Sequence, residues 1–246
     1  LIDEKNFIYS KNYLKTLSLL LKNIKNEDVF CISYDLKMDF INVLSGRTSV
    51  IYIRANNLDN YSTTFGKPLG KVLYNFHNIL LKLCSGIFVL THTQKKIFEN
   101  SGFGFIKKTH VLPNFIDEIT KRTFRKKKNS FLIIGSFIER KRIYESLKSF
   151  LSAFRDDENY SLTIIGDGPL KSKIKKLIKD DFKCSIKIIS ESVNPLKFLQ
   201  ESEYFILMSD SEGLSRASLE ASYFNCKLIL SDIDVNNEFF SDYGLI

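Results

Sequence analysis

The chain reads as an α/β protein built on two parallel sheets, and three observations predict this. Short runs rich in β-branched and aromatic residues alternate with stretches whose apolar residues recur at helical spacing. At 246 residues, the chain is long enough for one large domain or two small ones. A segment poor in apolar residues then divides the alternation into two series, each able to bury its own core.

In the first series, strands are expected at residues 29–33, 49–53, 87–90 and 109–112, with helices over 69–83 and 93–100. The second series places strands at 131–134, 161–165, 186–189, 204–207 and 227–230. Ile143, Leu147, Phe150, Leu151 and Phe154 fit one helical stripe, and Leu170, Ile174, Leu177 and Ile178 fit another. Each helix can therefore lay an apolar face on a sheet. The dividing segment carries the basic run from Arg122 to Lys128, read as a solvated charge cluster. The expected organisation is a domain over 1–112, a linker over 113–130 and a second domain over 131–246.

Composition excludes several classes. With 44% hydrophobic and 26% charged residues, 11 Gly and 4 Pro, the chain is neither disordered nor collagen-like. Cys31, Cys84, Cys184 and Cys226 lie far apart with no CxxC spacing, so buried thiols in a reducing compartment are expected rather than a disulfide scaffold or a zinc site. His77, His92 and His110 are equally scattered, and a metal site is not expected. Lys and Arg outnumber Asp and Glu by 36 to 28, a bias suited to an anionic substrate, an anionic lipid surface or nucleic acid. The 21 Phe and 11 Tyr fall mainly within apolar strands and helix stripes, which argues against nucleic-acid stacking. The apolar stretch 79–90 is interrupted by Lys82 and is shorter than the roughly 20 residues a bilayer requires. No signal peptide is apparent, and the cytoplasm is the expected location. The first residue is Leu and not Met, so a fragment or a processed product is expected.

Three strand-to-helix loops of the second series carry candidate chemistry. The first, Gly135-Ser136-Phe137-Ile138-Glu139-Arg140-Lys141-Arg142, sets three cations before a helix, where amides and a partial positive charge favour an anion. A solvated basic helix start explains it equally well. The second, Gly166-Asp167-Gly168-Pro169, allows close backbone approach, with Pro169 suited to a first helical turn. A plain turn accounts for it too. The third runs from Ser209 to Ala221, with Glu212 in the loop and Glu220 about 1.5 turns into a helix opening near Ser215. These carboxylates can accept bonds from hydroxyls at opposite ends of a diphosphate-linked ligand, while the Ser215 and Arg216 amides face its phosphates. An N-cap acid and a surface glutamate form the simpler alternative. Asn225, tolerant of the left-handed conformation, suits the helix end. The lysines of 169–179 mostly lie opposite that helix's apolar stripe and read as a solvated face.

Together these segments resemble family 4 glycosyltransferases of the GT-B fold. The resemblance rests on VLPNFID (111–117), similar to that family's interdomain hinge, GSFIERKR, TIIGDGPLKSKI, SIKIISESV, and SEGLSRASLEA with its two glutamates eight positions apart. The wording SRASLEA is most similar to bacterial surface-polysaccharide enzymes. The resemblance implies two Rossmann-like parallel-sheet domains facing across a cleft, here truncated at both ends. It also implies a retaining transfer from a nucleotide diphosphate sugar, UDP- rather than GDP-linked, to a hydroxyl of a lipid-linked saccharide. No metal or other cofactor is implied.

By the same resemblance, Glu212 holds donor-sugar hydroxyls, Glu220 the ribose, and Lys141 the diphosphate. Gly135, Ser136, Arg140, Gly166, Ile189, Gly213, Leu214, Ser215 and Arg216 line the donor site, with Ile189 beside the base. Ser136 stands where an arginine is usual, so Arg140 or Arg142 must compensate. Arg54, where many members carry a histidine after a strand, is a third catalytic candidate beside Glu212 and Lys141. The first domain would grip the acceptor. The 15 Lys and Arg against 10 Asp and Glu in residues 1–120 suit peripheral attachment to the inner face of the cytoplasmic membrane. Two other readings remain: a non-catalytic nucleotide-binding scaffold of the same fold, and a GT-B sugar-nucleotide epimerase.

Overall fold

The computed structural model describes residues 30–46, 48–54, 61–62, 64–101, 104, 108–116, 125–178, 181–189, 194–242 and 244–245. Val29, Asp117, residues 122–124, Lys179 and 190–193, all used above, lie outside the described residues. The chain divides into two compact units, Leu1–Pro113 and Asn114–Ile246.

In the first unit, β1 (Phe30–Ser33), β2 (Thr48–Ile53), β3 (Gly86–Val89) and β4 (Thr109–Val111) form a parallel sheet in that order. Helices α1 (Leu36–Leu44), α2 (Lys67–Leu83) and α3 (His92–Asn100) connect them. Ile51, Ile87, Val89 and Leu81 supply the core. Helix α1 starts because the Asp35 carboxylate accepts from the amides of Lys37 and Met38 at 3.0 and 3.1 Å. Its Asn42 amide then reaches the carbonyls of Cys31 and Val50, both at 3.1 Å, and so stitches helix, β1 and β2 together. Asp39, also inward, pairs with Nε2 of His77 on α2 at 2.9 Å. His92 opens α3 as its first residue, capped by Thr91, whose Oγ1 accepts from the Gln94 amide at 2.9 Å.

The second unit holds β5 (Lys127–Ile134), β6 (Ser161–Ile165), β7 (Ser185–Ile189), β8 (Ser202–Leu207), β9 (Lys227–Leu230) and β10 (Gly244–Leu245). All pairings are parallel, in the order β10-β9-β8-β5-β6-β7. The intervening helices are α4 (Ile143–Phe154), α5 (Lys171–Leu177), α6 (Leu196–Glu201), α7 (Arg216–Tyr223) and α8 (Asp234–Phe240). The apolar stripe of α4 buries Ile143, Leu147 and Phe150 against Phe131, Leu162 and Ile164.

Two boundaries correct the sequence reading. Strand β5 begins four residues early, inside the segment assigned to the linker. Its extension is held by polar contacts that hydropathy does not reveal. Lys127 pairs with Glu201 at 2.5 Å, and the Asn129 amide donates to Glu203 at 2.7 Å where a register shift lies between Lys127 and Phe131. Pro169 does not open a helix. Helix α5 starts two residues later, at Lys171, because Gly168–Leu170 turns tightly beneath the Phe137 carbonyl, which accepts from the Leu170 amide at 3.0 Å.

Candidate functional site

The strand order locates the site before any side chain is considered. Strands β5 and β8 are neighbours, but the chain leaves β5 towards β6 and β7 and leaves β8 towards β9 and β10. Their carboxyl ends therefore diverge into a crevice at a topological switch point, where open α/β sheets bind ligands. The loops leaving these two strands are those that carry the cations and Glu212.

After β5 the chain passes Gly135 and Ser136, buries Phe137, and makes a single 3-10 turn over Glu139–Lys141. This turn aims Arg140 and Lys141 across at the β8 loop. Lys141 Nζ donates to Glu212 Oε1 at 2.5 Å, and Arg140 NH1 stands 3.7 Å from Glu212 Oε2. The Glu212 side chain is 8% exposed and those of Lys141 and Arg140 16% and 19%, so charge-assisted bonds hold this carboxylate largely away from water. The backbones lock as well: Arg140 NH1 donates to the Ser211 carbonyl, and the Asp210 amide donates to the Arg140 carbonyl at 2.9 Å.

Arg142 takes a different direction. Its Nε donates to Asp210 Oδ1 at 2.7 Å in a half-exposed pair, and that bond raises the Arg142 pKa above its ordinary value. Of the two arginines considered as substitutes at Ser136, Arg140 is thus the one sharing Glu212 with Lys141.

The floor is backbone. The Gly135 amide donates to the Ile165 carbonyl and the Gly166 amide to the Ile189 carbonyl, each at 3.0 Å, drawing the ends of β5, β6 and β7 level. A Cβ on Gly166 would lie 2.0 Å from the Gly135 oxygen, so a side chain there is sterically excluded.

On the far side, Gly213 and the buried Leu214 lead into Ser215, whose Oγ accepts from the Ser218 amide at 3.2 Å and caps α7. Glu220 is 8% exposed, not a surface glutamate, and accepts from Arg216 Nε at 2.9 Å. Asn225 ends the helix region at φ 55°, the left-handed stop its side chain suggested. Arg54 belongs to the first unit, just past β2, with its guanidinium 5.8 Å from the centre of the Tyr34 ring.

Two contributors escaped the reading of site residues. Asn114, in the VLPNFID segment, donates Nδ2 to the Leu214 carbonyl at 2.7 Å. Asp210, one residue after the buried Ser209, anchors the cation loop through both its backbone and its carboxylate. A motif residue with a side-chain amide was the available signal for the first. None marked the second.

Residues 114–245, which hold all of these loops, match the family of glycosyl transferases group 1, and the chain belongs to that family. Among curated relatives, it is 28% identical over 196 residues to an uncharacterized glycosyltransferase of Methanocaldococcus jannaschii, covering 74% of this chain and 48% of that protein. It is 33% identical over 129 residues to the capsular polysaccharide biosynthesis glycosyltransferase CapH of Staphylococcus aureus, covering 49% of this chain and 36% of that one. It is also 27% identical over 150 residues to a Campylobacter jejuni α-1,4-N-acetyl-D-galactosaminyltransferase acting on an undecaprenol-linked saccharide, covering 59% and 40%.

The chain spans about half the length, or less, of these relatives. Among solved structures, TarM matches with a TM-score of 0.76 at 20% identity, covering 96% of this chain and 49% of that one. The pneumococcal O-GlcNAc transferase GtfA, solved with UDP and GlcNAc, matches with a TM-score of 0.74 at 16% identity, covering 95% and 47%. The fold is the parallel-sheet α/β architecture of GT-B glycosyltransferases.

Proposed function

We propose that the chain is the core of a retaining, family 4 glycosyltransferase that moves a sugar from a UDP-sugar to a hydroxyl of a lipid-linked saccharide in bacterial surface-polysaccharide synthesis. The observation that carries this reading is the Lys141–Glu212 pair at the switch point of the second sheet. In the proposed complex the ammonium of Lys141 and the guanidinium of Arg140 turn to the diphosphate, and the Glu212 carboxylate accepts hydrogen bonds from donor-sugar hydroxyls. The leaving diphosphate gains negative charge as the glycosidic bond breaks, and cations already oriented there stabilise it without reorganisation. Amides opening α7 add to that field, while Glu220, released from Arg216, accepts from the ribose.

The curated relatives' names support the substrate class: one is a capsular polysaccharide enzyme and another acts on an undecaprenol-linked saccharide. Two neighbours were solved with UDP, supporting the choice of nucleotide. The first unit receives the acceptor, with Arg54 as its candidate catalytic cation, and the enzyme works peripherally on the cytoplasmic face of the membrane without a metal.

The test is calorimetric titration with UDP and GDP, followed by release of nucleoside diphosphate from UDP-sugars with a membrane extract as acceptor. Binding of UDP with sugar-dependent release supports the reading. No binding of either nucleotide overturns it, and binding with no release or product in wild type and Glu212→Ala alike favours a scaffold.

A further inference from the structure

Past the ends of β8 and β9 the parallel ladder runs one bond further, the Ser231 amide donating to the Leu207 carbonyl at 3.1 Å. The next amide in step, that of Ile233, does not follow. It turns back to the Ser231 carbonyl at 2.9 Å, which would leave the carbonyl of the buried Ser209 without a ladder donor. The Ser231 hydroxyl takes that place: its Oγ donates to the Ser209 carbonyl at 2.7 Å.

Asn236, fully buried on α8, sets the direction of this hydroxyl. Its Nδ2 donates to the Ser231 carbonyl at 2.8 Å and lies 3.4 Å from Ser231 Oγ. A carbonyl only accepts, so Asn236 must present its NH2 group to Ser231. The Oγ lone pairs then face a donor, and its proton is left for Ser209.

The peptide that receives this proton joins the two loops of the site. Its carbonyl belongs to Ser209 and its N–H to Asp210, and that N–H donates to the Arg140 carbonyl at 2.9 Å. One rigid plane is therefore held from the end of β9 on one side and from the cation turn on the other. Accepting at the oxygen also polarises the N–H and strengthens its bond to Arg140. Glu212 follows Asp210 by two residues, and Lys141 follows Arg140 directly.

We infer that Ser231, oriented by Asn236, is a positioning residue for the Lys141–Glu212 pair. It acts by fixing the Ser209–Asp210 peptide, from which the two loops take their mutual alignment. The inference rests on the sugar transfer proposed above and adds to it a residue from a third loop, the one after β9. Without the hydroxyl the peptide can rock, and the pair keeps its charges but loses its alignment. Transfer demands more of that alignment than binding does.

The test measures nucleoside diphosphate release from a UDP-sugar by the full chain, with a membrane extract as acceptor. Ser231→Ala is expected to lower kcat about tenfold while KM for the UDP-sugar changes less than about threefold. Ser231→Thr, which keeps the hydroxyl, should recover most of the loss. Asn236→Ala should cost about threefold, and nothing further once Ser231 is alanine. In a Glu212→Gln background Ser231→Ala should cost nothing more, because no carboxylate is left to align. Hydrogen exchange reads the peptide itself: the Asp210 amide should exchange about tenfold faster in Ser231→Ala. Circular dichroism checks that the variants are folded.

Turnover of Ser231→Ala equal to wild type, unchanged exchange at Asp210, or a loss of the same size in the Glu212→Gln background overturns the inference and leaves the transfer standing. Release undiminished by Glu212→Gln, or absent from the wild type, overturns both. Should Ser231→Ala fail to fold, Asn236→Ala carries the same comparisons with the same outcomes.

Discussion

Lys141 and Glu212 meet at 2.5 Å across the junction of the two halves of the second sheet, one on the loop after β5 and the other on the loop after β8. Each limits the other's freedom. The pair is largely buried, so removing one partner strands a charge in a poorly solvated site. Glu212→Gln keeps the shape and a hydrogen-bond acceptor but cancels the charge. It is expected to lower turnover of a UDP-sugar about a hundredfold or more with the fold intact, as measured by steady-state kinetics beside circular dichroism. Lys141→Met should weaken UDP binding by about tenfold or more in calorimetry.

The contact between Asn114 and the Leu214 carbonyl sets the loop that ends in the Ser215 cap. Asn114→Ala removes one part-buried hydrogen bond, with an expected cost of about 1 kcal/mol in denaturant unfolding. Because the loop carries Glu212, UDP affinity is expected to fall severalfold at the same time. Unchanged affinity would show that the bond is merely structural.

Gly166→Ala places a methyl group 2.0 Å from a backbone oxygen that cannot retreat without breaking the alignment of β5 with β6. A loss of about 3 kcal/mol or more is expected, read as a lower thermal midpoint.

In the first unit, Asp39 and His77 are 1% and 2% exposed and pair at 2.9 Å, while Nδ1 of His77 meets the Tyr61 hydroxyl at 2.9 Å. Burial, reinforced by the Asp39 charge, pushes the Tyr61 phenol well above its ordinary pKa. His77→Phe fills the space but leaves the Asp39 carboxylate buried without the imidazole it pairs with, and should destabilise the protein by about 3 kcal/mol in urea unfolding.

Acid should act on the second unit through its surface carboxylates. Glu201 and Glu203 are held below the usual carboxylate range, mainly by hydrogen bonds from Lys127 and Lys227, and Asp167 by Lys171. A carboxylate whose pKa is lower folded than unfolded stabilises the fold above the unfolded value, and that contribution vanishes as pH falls through the folded one. The thermal midpoint should therefore drop between about pH 5 and pH 2, and high salt should flatten the drop because these half-buried groups still meet solvent. Lys127→Met/Lys227→Met should flatten it further.

Much of this architecture was legible because its signals are local. The strands at Ser161–Ile165 and Lys227–Leu230 have the expected limits, since each is a compact apolar run ended by turn residues. The start of α7 at Ser215 and the left-handed Asn225 follow from single residues with strong conformational preferences. What was not legible depends on partners distant in sequence. The first half of β5 looked like a charged linker because its partners are distant: Lys127 pairs with Glu201 at the end of α6, and the Asn129 amide with Glu203 on β8. Helix α1 was not anticipated, because two of its inward residues, Asp39 and Asn42, are polar and answer to groups on other elements. Glu212 was identifiable from its spacing to Glu220, but its pairing with Lys141 depends on the strand order.

That order has a consequence for how the protein matures. The two charges are separated by 71 positions along the chain and are juxtaposed by the central strand pair, so local chain collapse cannot assemble their pocket. In the proposed function, nucleotide capture is then a late event that reports completed tertiary structure. A tightly held ligand would act as a thermodynamic clasp, shifting the melting of the entire second unit rather than that of one loop.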